Sequence, residues 1–367
     1  MSASGFGLFG AAAGGPALWS WGLNSIGQLG LGNLTAYSSP KQVGALTNWF
    51  TVSAGETHSL AVKTDGTLWA WGSGTQGRLG VGNLTNYSSP KQVGALTTWS
   101  TVSAGRSHSL AVKTGGTLWA WGYGGSGNLG LGNTTNYSSP MQVGALTTWA
   151  KVAACSQLSL AVKTDGTLWS WGRGLYGALG LGNTTSYSSP KQIGALTTWS
   201  TVSGPTSGYS SLAVKTDGTL WSWGYNSSGQ LGLGNITNYS SPKQVGALTG
   251  WSTVSAGNNS SLAVKTNGTL WAVGGFNNVG QLGLGNTTSY SSPKQIGALT
   301  TWSTVSTRQN SSLAVKTDGT LWSWGNNNNG QLGLGNLTNY SSPKQVGALT
   351  GWSKVTTGTN FTLAIKS

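Results

Sequence analysis

Two histidines and one acid could in principle form a zinc site. His58 and His108 occupy equivalent positions in two similar segments, and Glu56 lies near the first. A zinc site needs three or four protein ligands, and a separation of one segment works against a shared site. The other segments carry different residues at this position, namely Leu158, Ser210, Ser260, Ser311 and Phe361. We therefore expect no metal.

Cys155 is the single cysteine of the chain, so it cannot form an intramolecular disulfide. It stands where the sister segments carry Gly55 and Gly105. A reactive or metal-binding thiol is the alternative. Such thiols need an activating environment, and the sequence around Cys155 does not indicate one. We expect a reduced thiol in a loop.

Other catalytic chemistry is absent from the pattern of the sequence. Four of the five acids stand at the same turn position, namely Asp65, Asp165, Asp217 and Asp318. No repeated position brings two carboxylates together, and no phosphate-binding glycine loop leads from a strand into a helix. We predict that the protein is not an enzyme and needs no cofactor.

The elements that must position any site belong to a repeat of about 50 residues. The pentapeptide Leu-Trp-x-Trp-Gly recurs along the chain, beginning at Leu18, Leu68, Leu118, Leu168, Leu220 and Leu321, with a Leu-Trp-Ala-Val-Gly variant at Leu270. The chain has 60 glycines, 20 tryptophans and 7% charged residues, which favours an all-β protein rich in tight turns. A period of this size is typical of a propeller blade or a solenoid coil.

The two ends of the chain distinguish a propeller from a solenoid. Residues 59–71 predict a hairpin, since two alternating apolar runs flank Asp65-Gly66. The first unit lacks one half of this hairpin, and the last unit lacks the other. Pairing of residues 363–366 with residues 18–21 would close a ring of seven blades and remove the exposed edges. We predict one seven-bladed β-propeller over 16–367, preceded by an apolar Gly/Ala-rich arm over 1–15.

The repeat resembles a known family at these residues. The pattern Leu-Trp-x-Trp-Gly-x-Asn-x-x-Gly-Gln-Leu-Gly-x-Gly at 321–335, followed by Trp-x-x-Val and Ser-Leu-Ala-Val, is similar to the repeat of the regulator of chromosome condensation (RCC1). The resemblance covers residues 16–367 and implies a seven-bladed propeller. Some members of that family exchange nucleotide on a small GTPase. This chain departs from them, because it has no long wedge-like insertion, no basic nuclear-targeting run and few acids. Its unusually alike blades suggest a viral or bacterial-type member.

The unrepeated residues gather in two loops of each unit, one after Trp-Gly and one before Ser-Leu-Ala-Val. Both loops lie at the end of the hairpin opposite the Asp-Gly turn, so they share one face of the ring. Arginine and tyrosine are enriched at the energetic centres of interfaces. Neutral drift of exposed loops is the alternative. The predicted partner-binding residues are Arg78, Arg106, Arg173, Arg308, Tyr123, Tyr176, Tyr209, Tyr225 and Phe276.

The tryptophans and lysines occupy repeated positions. All 20 tryptophans do so, and we interpret them as core between blades. One lysine ring comprises Lys63, Lys113, Lys163, Lys215, Lys265, Lys316 and Lys366, and a second comprises Lys41, Lys91, Lys191, Lys243, Lys294 and Lys344. We expect a solvated rim, with attraction to an anionic glycan or nucleic acid as the alternative. The even spread favours no sequence-specific binding of nucleic acid.

The repeated blades and the charge-poor surface favour a non-enzymatic recognition or decoration propeller of a phage-like virion or a microbial surface. It would contact other virion or surface proteins, or a glycan, through the variable loops, and the arm 1–15 could dock into a neighbouring subunit. We expect a virion or extracellular surface location and no membrane span. The alternative is an intracellular, cytoplasmic exchange-factor-like regulator of a small GTPase.

Overall fold

The computed structural model describes residues 15–367. Their strands form seven four-stranded antiparallel sheets, the blades of a closed propeller. The predicted all-β seven-bladed fold is confirmed. The predicted arm over 1–15 lies outside the described residues, apart from Gly15.

Each blade has an inner strand that begins at a tryptophan, and these strands contact one another around the central axis. The inner strands of blades 1 to 7 are β3 (Trp49–Ala54), β7 (Trp99–Ala104), β11 (Trp149–Ala154), β15 (Trp199–Ser203), β19 (Trp251–Ala256), β23 (Trp302–Arg308) and β27 (Trp352–Thr357). The second strands are β4 (His58–Lys63), β8 (His108–Lys113), β12 (Leu158–Lys163), β16 (Ser210–Lys215), β20 (Ser260–Lys265), β24 (Ser311–Lys316) and β28 (Phe361–Lys366).

The outer half of each blade completes the sheet. The third strands are β5 (Leu68–Gly72), β9 (Leu118–Gly122), β13 (Leu168–Gly172), β17 (Leu220–Gly224), β21 (Leu270–Gly275), β25 (Leu321–Gly325) and, in blade 7, β1 (Ala17–Gly22). The outer strands are β6 (Tyr87–Gln92), β10 (Tyr137–Gln142), β14 (Tyr187–Gln192), β18 (Tyr239–Gln244), β22 (Lys294–Gln295), β26 (Tyr340–Gln345) and β2 (Tyr37–Gln42). Two short 3-10 helices, Thr75–Gly77 and Leu175–Gly177, lie in the loops after the third strands.

The Asp-Gly turn joins the second and third strands. Asp65 accepts hydrogen bonds from the Thr67 amide at 2.9 Å and the Thr67 hydroxyl at 2.6 Å. Gly66 has φ +77, a conformation that a residue with a Cβ rarely adopts. The predicted hairpin is therefore present, and its turns define one face of the ring, which we call the turn face.

The ends of the chain close the ring. Strand β1 pairs with β28 in antiparallel register, from Ala17 opposite Lys366 to Gly22 opposite Phe361. The predicted pairing of the N- and C-terminal strands within one blade is confirmed. Blade 7 has no turn between these two strands, because each end of the chain supplies one of them.

Tryptophans hold neighbouring blades together, as predicted. The Trp71 indole of blade 1 donates to the Gln28 carbonyl of the preceding unit at 2.9 Å, and the Ser59 hydroxyl donates to the same oxygen at 2.8 Å. The same pair of bonds recurs around the ring wherever the tryptophan is present. Val273 replaces this tryptophan in blade 5, where Ser261 alone donates to the Gln230 carbonyl.

Hydroxyl groups link the inner strands into a second ring. Each linking hydroxyl accepts a hydrogen bond from a backbone amide of the next blade at 2.9 to 3.2 Å. The accepting residues are Ser53, Ser103, Ser203, Ser255, Ser306 and Thr356. Ala153 stands at this position in blade 3, so the ring of hydroxyls has one gap there.

The two lysine rings differ in environment. Lys63 Nζ lies 3.9 Å from the ring centroid of Trp69, and four sister lysines lie 3.8 to 3.9 Å from their own tryptophans, whereas Lys265 is 5.8 Å from Trp271. Burial lowers the pKa of Lys63, although nearby Asp65 opposes the shift. The second ring is exposed, as Lys191 shows. The amines of the second ring are solvated and lie 5.3 to 5.6 Å from the centroids of tyrosine rings, whereas most amines of the first ring pack closely on tryptophan faces.

In the part of the chain that the structure describes, no helix has the length and apolar character needed to cross a membrane.

Candidate interaction surface

The two variable loops of each blade meet at the end opposite the Asp-Gly turn. Backbone hydrogen bonds join them: the Ser73 amide donates to the Thr57 carbonyl at 2.9 Å, and the Arg173 amide donates to the Gln157 carbonyl at 2.9 Å. This places both loops on one face of the ring, as the hairpin geometry predicted. We call it the variable face.

Three unrepeated tyrosines form a cluster across blades 3 and 4. The ring centroid of Tyr176 lies 4.6 Å from that of Tyr225 and 5.8 Å from that of Tyr209. Tyr176 is 40% exposed, whereas Tyr209 and Tyr225 are half-buried. Aromatic groups arranged in this way offer a rigid apolar surface with polar edges. The sequence placed these residues in the same kind of loop, and the structure brings them into contact.

Arg173 extends this cluster with a positive charge. Its guanidinium donates to the Gln157 side-chain oxygen at 2.6 Å and lies 5.9 Å from the centroid of the Tyr209 ring. The Tyr209 hydroxyl donates to the same Gln157 oxygen at 3.1 Å. Gln157 thus holds both side chains in place, a role that its occurrence in a variable loop did not reveal.

Tyr176 adopts an unusual backbone conformation. Its φ is +58, in the left-handed region that bulky residues avoid, and Gln76 has φ +61 at the same position of blade 1. Among the described residues, the other blades place no non-glycine residue in this conformation here, so Tyr176 carries a backbone cost that most copies of the loop avoid. Its side chain packs against Tyr209 and Tyr225.

Arg106 and Glu56 form an ion pair between blades 1 and 2. The Nε atom of Arg106 lies 3.1 Å from a Glu56 carboxylate oxygen, and the two side chains are 47% and 24% exposed. An ion pair with this exposure contributes little to stability. Arg106 therefore remains accessible on the variable face, and its charge is partly balanced by Glu56.

Arg78 differs from the predicted pattern because its side chain is buried, at 7% exposure. Its guanidinium donates to the Thr57 hydroxyl at 3.0 Å, the Arg106 carbonyl at 3.1 Å and the Gln76 side-chain oxygen at 3.2 Å, and its Nε donates to the Thr75 carbonyl at 2.9 Å. The side chain ties the loops of two blades together. Its place in a variable loop suggested exposure, but the burial assigns it a structural role.

Arg308 also differs from the predicted pattern, because its side chain is not part of the outer variable loops. It ends the inner strand β23 at the position occupied by Gly55 and Gly105, and its guanidinium donates to the Ala54 carbonyl of blade 1. Because blade 7 stands between blades 6 and 1, the side chain reaches across the central axis. Burial lowers its pKa to about 10, so it stays charged at neutral pH. The Arg308 side chain therefore lies at the centre of the ring and contributes little to the exposed surface.

Tyr123 and Phe276 occupy separate blades. Tyr123 is half-buried in blade 2, and Phe276 of blade 5 is 40% exposed. Within residues 15–367, neither ring makes an aromatic contact with the tyrosine cluster. Partner binding remains a prediction for all nine residues, namely Arg78, Arg106, Arg173, Arg308, Tyr123, Tyr176, Tyr209, Tyr225 and Phe276, although the burial of Arg78 counts against a direct contact there.

His58 and His108 are buried bridges between blades. His58 Nε2 lies 3.0 Å from the Ser109 hydroxyl, which itself donates to the Arg78 carbonyl, so the imidazole must donate through Nε2. His108 is bonded in the same way to Ser159 at 2.9 Å. Within residues 15–367 no group of three or more metal-ligating side chains is present.

The Cys155 thiol is buried just after strand β11, and burial raises its pKa to about 12. A thiol with this pKa is protonated at neutral pH and is a poor nucleophile. The expectation of a reduced thiol is consistent with this environment, although the side chain points into the core and not into an open loop.

The sequence matches one family along nearly its whole length. Residues 17–62, 65–112, 115–162, 165–208, 217–264, 267–315 and 318–365 match the Regulator of chromosome condensation (RCC1) repeat. Among curated proteins, the chain is 41% identical over 98 residues to "Protein RCC2" of Mus musculus, which is 26% of this chain and 18% of that protein. It is 43% identical over 89 residues to "Protein RCC2 homolog" of Xenopus laevis, covering 23% and 17% of the two chains. The matches thus span under a fifth of these relatives.

The fold is shared with solved structures of low sequence identity. Human WBSCR16 aligns with a TM-score of 0.85 and 21% identity over 96% of this chain and 99% of that chain. Yeast RCC1 (Prp20), solved bound to Kap60, aligns with a TM-score of 0.85 and 20% identity over 97% and 89% of the two chains. Prp20p from Saccharomyces cerevisiae has also been characterised for its binding to Gsp1p and histones, and that structure aligns with a TM-score of 0.84 and 20% identity over 97% and 92% of the two chains.

The prediction of a virion or microbial-surface decoration protein is wrong, and a viral or bacterial-type member is not supported. The curated relatives are eukaryotic RCC2 proteins, and the similar structures include yeast RCC1. Alike blades and a charge-poor surface describe how this chain is built and did not predict the relatives that it matches. Virion partners and a virion or extracellular location also lose their support. The chain belongs to the regulator of chromosome condensation (RCC1) repeat family.

Proposed function

We propose that the protein is an intracellular, cytoplasmic regulator that binds a small GTPase through its variable face and promotes nucleotide exchange. The observation that carries this proposal is the cluster of Tyr176, Tyr209 and Tyr225 with Arg173 on a propeller of the RCC1 repeat family. Tyrosine and arginine are the residue types that dominate the binding energy of protein interfaces.

Nucleotide exchange requires binding and no covalent chemistry on the propeller. A protein accelerates the release of a nucleotide when it binds the empty GTPase more tightly than the loaded one. A rigid surface is suited to this task, because the GTPase must then change its own conformation to fit. Gln157 supplies such rigidity here, since it fixes Arg173 and Tyr209 before any partner arrives.

The charges of the variable face favour a partner surface that is acidic or rich in hydrogen-bond acceptors. Arg106 and Arg173 are exposed there, and Glu56 is the acid paired with Arg106. We expect Arg173 to make the stronger contribution, because it carries no ion pair within the described residues. Arg106 would have to exchange Glu56 for the partner.

The proposal is tested by the release of a fluorescent GDP analogue from a panel of purified small GTPases. The full chain should accelerate release from at least one of them. A triple variant carrying Arg106→Ala, Arg173→Ala and Tyr176→Ala should lose this acceleration and keep its thermal midpoint, because all three side chains are exposed.

The matched control is Lys91→Ala, Lys191→Ala and Lys243→Ala, three exposed lysines on outer strands. This variant removes more charge than the first but should leave the acceleration intact. If no GTPase responds, the proposal is overturned. If both variants lose activity equally, the effect comes from net charge and not from the tyrosine cluster.

A further inference from the structure

A second set of sites lies away from the variable face, in grooves between neighbouring blades. Five of these grooves have volumes between 260 and 350 Å³ and are lined by residues at the same repeat positions. In the groove between blades 2 and 3, the walls are Leu146, Trp149, Trp169 and Pro190. These walls are mostly apolar, and the connection that carries Leu146 runs along the turn face.

Each of the five grooves is lined by a tryptophan whose indole N–H is closed off from solvent and has no hydrogen-bond partner within residues 15–367. The tryptophans concerned are Trp49, Trp99, Trp149, Trp199 and Trp302. Each is at most 4% exposed. A buried donor without a partner costs free energy, so five repetitions of this arrangement need a physical reason.

The other two blades show where this N–H points. The Trp251 indole donates to the Leu248 carbonyl at 3.0 Å, and the Trp352 indole donates to the Leu349 carbonyl at 3.2 Å. In both blades glycine precedes the tryptophan, with φ +77 at Gly250 and +83 at Gly351. The other blades have threonine or asparagine there, which disfavours this backbone conformation.

Leu248 occupies the repeat position of Leu146, which lines the groove between blades 2 and 3. The unpartnered Trp149 indole is therefore directed to the Leu146 side of that groove. This N–H is closed off from solvent, so an acceptor on a ligand reaches it only when the connection that carries Leu146 shifts, and the ligand then takes the place that the Leu248 carbonyl has at Trp251.

Positive charge borders the same grooves. Lys163 Nζ lies 3.8 Å from the centroid of Trp169 and 4.9 Å from that of Trp149. Pro190 of the wall is followed by the exposed Lys191. The chain as a whole has a net charge of +14. A ligand for these grooves should thus combine an apolar group, a hydrogen-bond acceptor and negative charge.

We propose that the five grooves bind an extended acidic peptide segment of a partner protein, placing an apolar side chain against Leu146 and Trp169 and an oxygen acceptor on the Trp149 indole, with equivalent contacts in the other four. The carboxylates of the segment lie near the lysines at the groove. Repetition around the ring allows several segments, or several parts of one chain, to bind at once and gain avidity. This site is independent of the variable face and of GTPase binding.

The first test measures anisotropy of a fluorescein-labelled peptide of alternating glutamate and leucine. A peptide with serine in place of leucine has the same charge, and a heparin oligosaccharide and single-stranded DNA serve as other polyanions. The leucine peptide should bind about tenfold more tightly than the serine peptide, since each site buries an apolar side chain. Equal binding of the two peptides, or competition by heparin or DNA with equal potency, would overturn the proposal.

The second test uses matched substitutions at half-exposed leucines. A variant with serine at Leu46, Leu96, Leu146, Leu196 and Leu299 should lose most binding of the leucine peptide. The control variant with Leu248→Ser and Leu349→Ser alters the two blades whose indoles are already paired. It should bind as the unmodified protein does. A loss of similar size per site in the control would show that the indole plays no part.

The third test observes the indoles directly. In a protein labelled with ¹⁵N-tryptophan, the N–H resonances of the seven inner tryptophans are assigned by single Trp→Phe substitutions. Addition of the leucine peptide should shift the resonances of Trp49, Trp99, Trp149, Trp199 and Trp302 and leave those of Trp251 and Trp352 in place. Binding without these shifts would place the peptide elsewhere.

Discussion

Two buried histidines make the stability of the ring depend on pH. Burial holds the pKa of His58 well below 6.5 and lowers that of His108 to about 3. In the unfolded chain both imidazoles titrate near 6.5. The unfolded state therefore binds more protons between pH 6.5 and the folded pKa values, and the free energy of unfolding decreases as the pH falls through this range.

We expect this loss to reach roughly 2 kcal/mol at pH 5 for His108 alone, at about 1.4 kcal/mol per pH unit, and His58 adds a loss of the same sign. Urea unfolding between pH 7.5 and 5 measures it. The turn aspartates titrate lower, because hydrogen bonds from threonine hold their pKa values below 3.8. The range from pH 6.5 to 5 thus isolates the histidines.

The variant His58→Ser with His108→Ser places the residue of Ser210 and Ser260 at both positions. Its absolute stability should fall, because imidazole volume is lost, but its stability should depend much less on pH over this range. An unchanged pH dependence would mean that other groups cause the loss.

The residue scale is also where sequence reasoning was least reliable. Arg78 and Arg308 share their loops with exposed residues, yet one is buried between blades and the other crosses the axis. Alignment of the repeats offered one usable signal, since Arg308 stands in a position that is glycine in four of the other six blades. The burial of Arg78 had no such signal, because its acceptors come from loops whose spatial proximity only the folded ring creates.

The hydroxyls that link the inner strands allow two opposite substitutions to be compared. Ser103→Ala would leave the buried Ala154 amide without its acceptor, which we expect to cost about 1 to 2 kcal/mol. Ala153→Ser is the reverse change, because it adds a hydroxyl at the one gap in the ring. It should stabilise the protein by up to about 1 kcal/mol. Chemical unfolding of both variants checks the two signs, and destabilisation by Ala153→Ser would show that the gap is required.

The elements were largely predictable from the repeat. Six copies of Leu-Trp-x-Trp-Gly with one variant, and six hairpin turns of which four carry Asp-Gly, fix the strands and the turn, and the structure has both. The tyrosine cluster was only partly predictable. Its members were identified as unrepeated aromatics, but their contact depends on how blade 4 lies beside blade 3 and on Gln157, whose sequence context shows nothing unusual.

The whole molecule depends on the pairing of its two ends. Removal of residues 361–367 would delete strand β28 and expose the edges of β1 and β27. We expect this truncation to abolish the cooperative thermal transition of the entire ring, because every blade needs two neighbours. Differential scanning calorimetry of the truncated and full chains measures the effect.

A circular permutant provides the control for this truncation. In this permutant Ser367 is joined to Met1, and residues 1–15 serve as the linker. The chain is opened between Thr97 and Thr98, in an exposed connection, so every strand is kept. This permutant should unfold cooperatively near the temperature of the original. If it also fails to fold, the order of the blades in the chain matters, and the closure between β1 and β28 is not the decisive feature.

The blade formed by both ends has a further consequence during synthesis and at high concentration. All other hairpins form from strands a few residues apart, whereas β1 must wait until the last strand of the chain has been made. Until then its edge can accept the equivalent strand of a second molecule, because the blades are so alike in sequence. Monomeric closure and the formation of chain-exchanged rings are therefore competing processes, and the ratio of their products should depend on the concentration at which the protein folds.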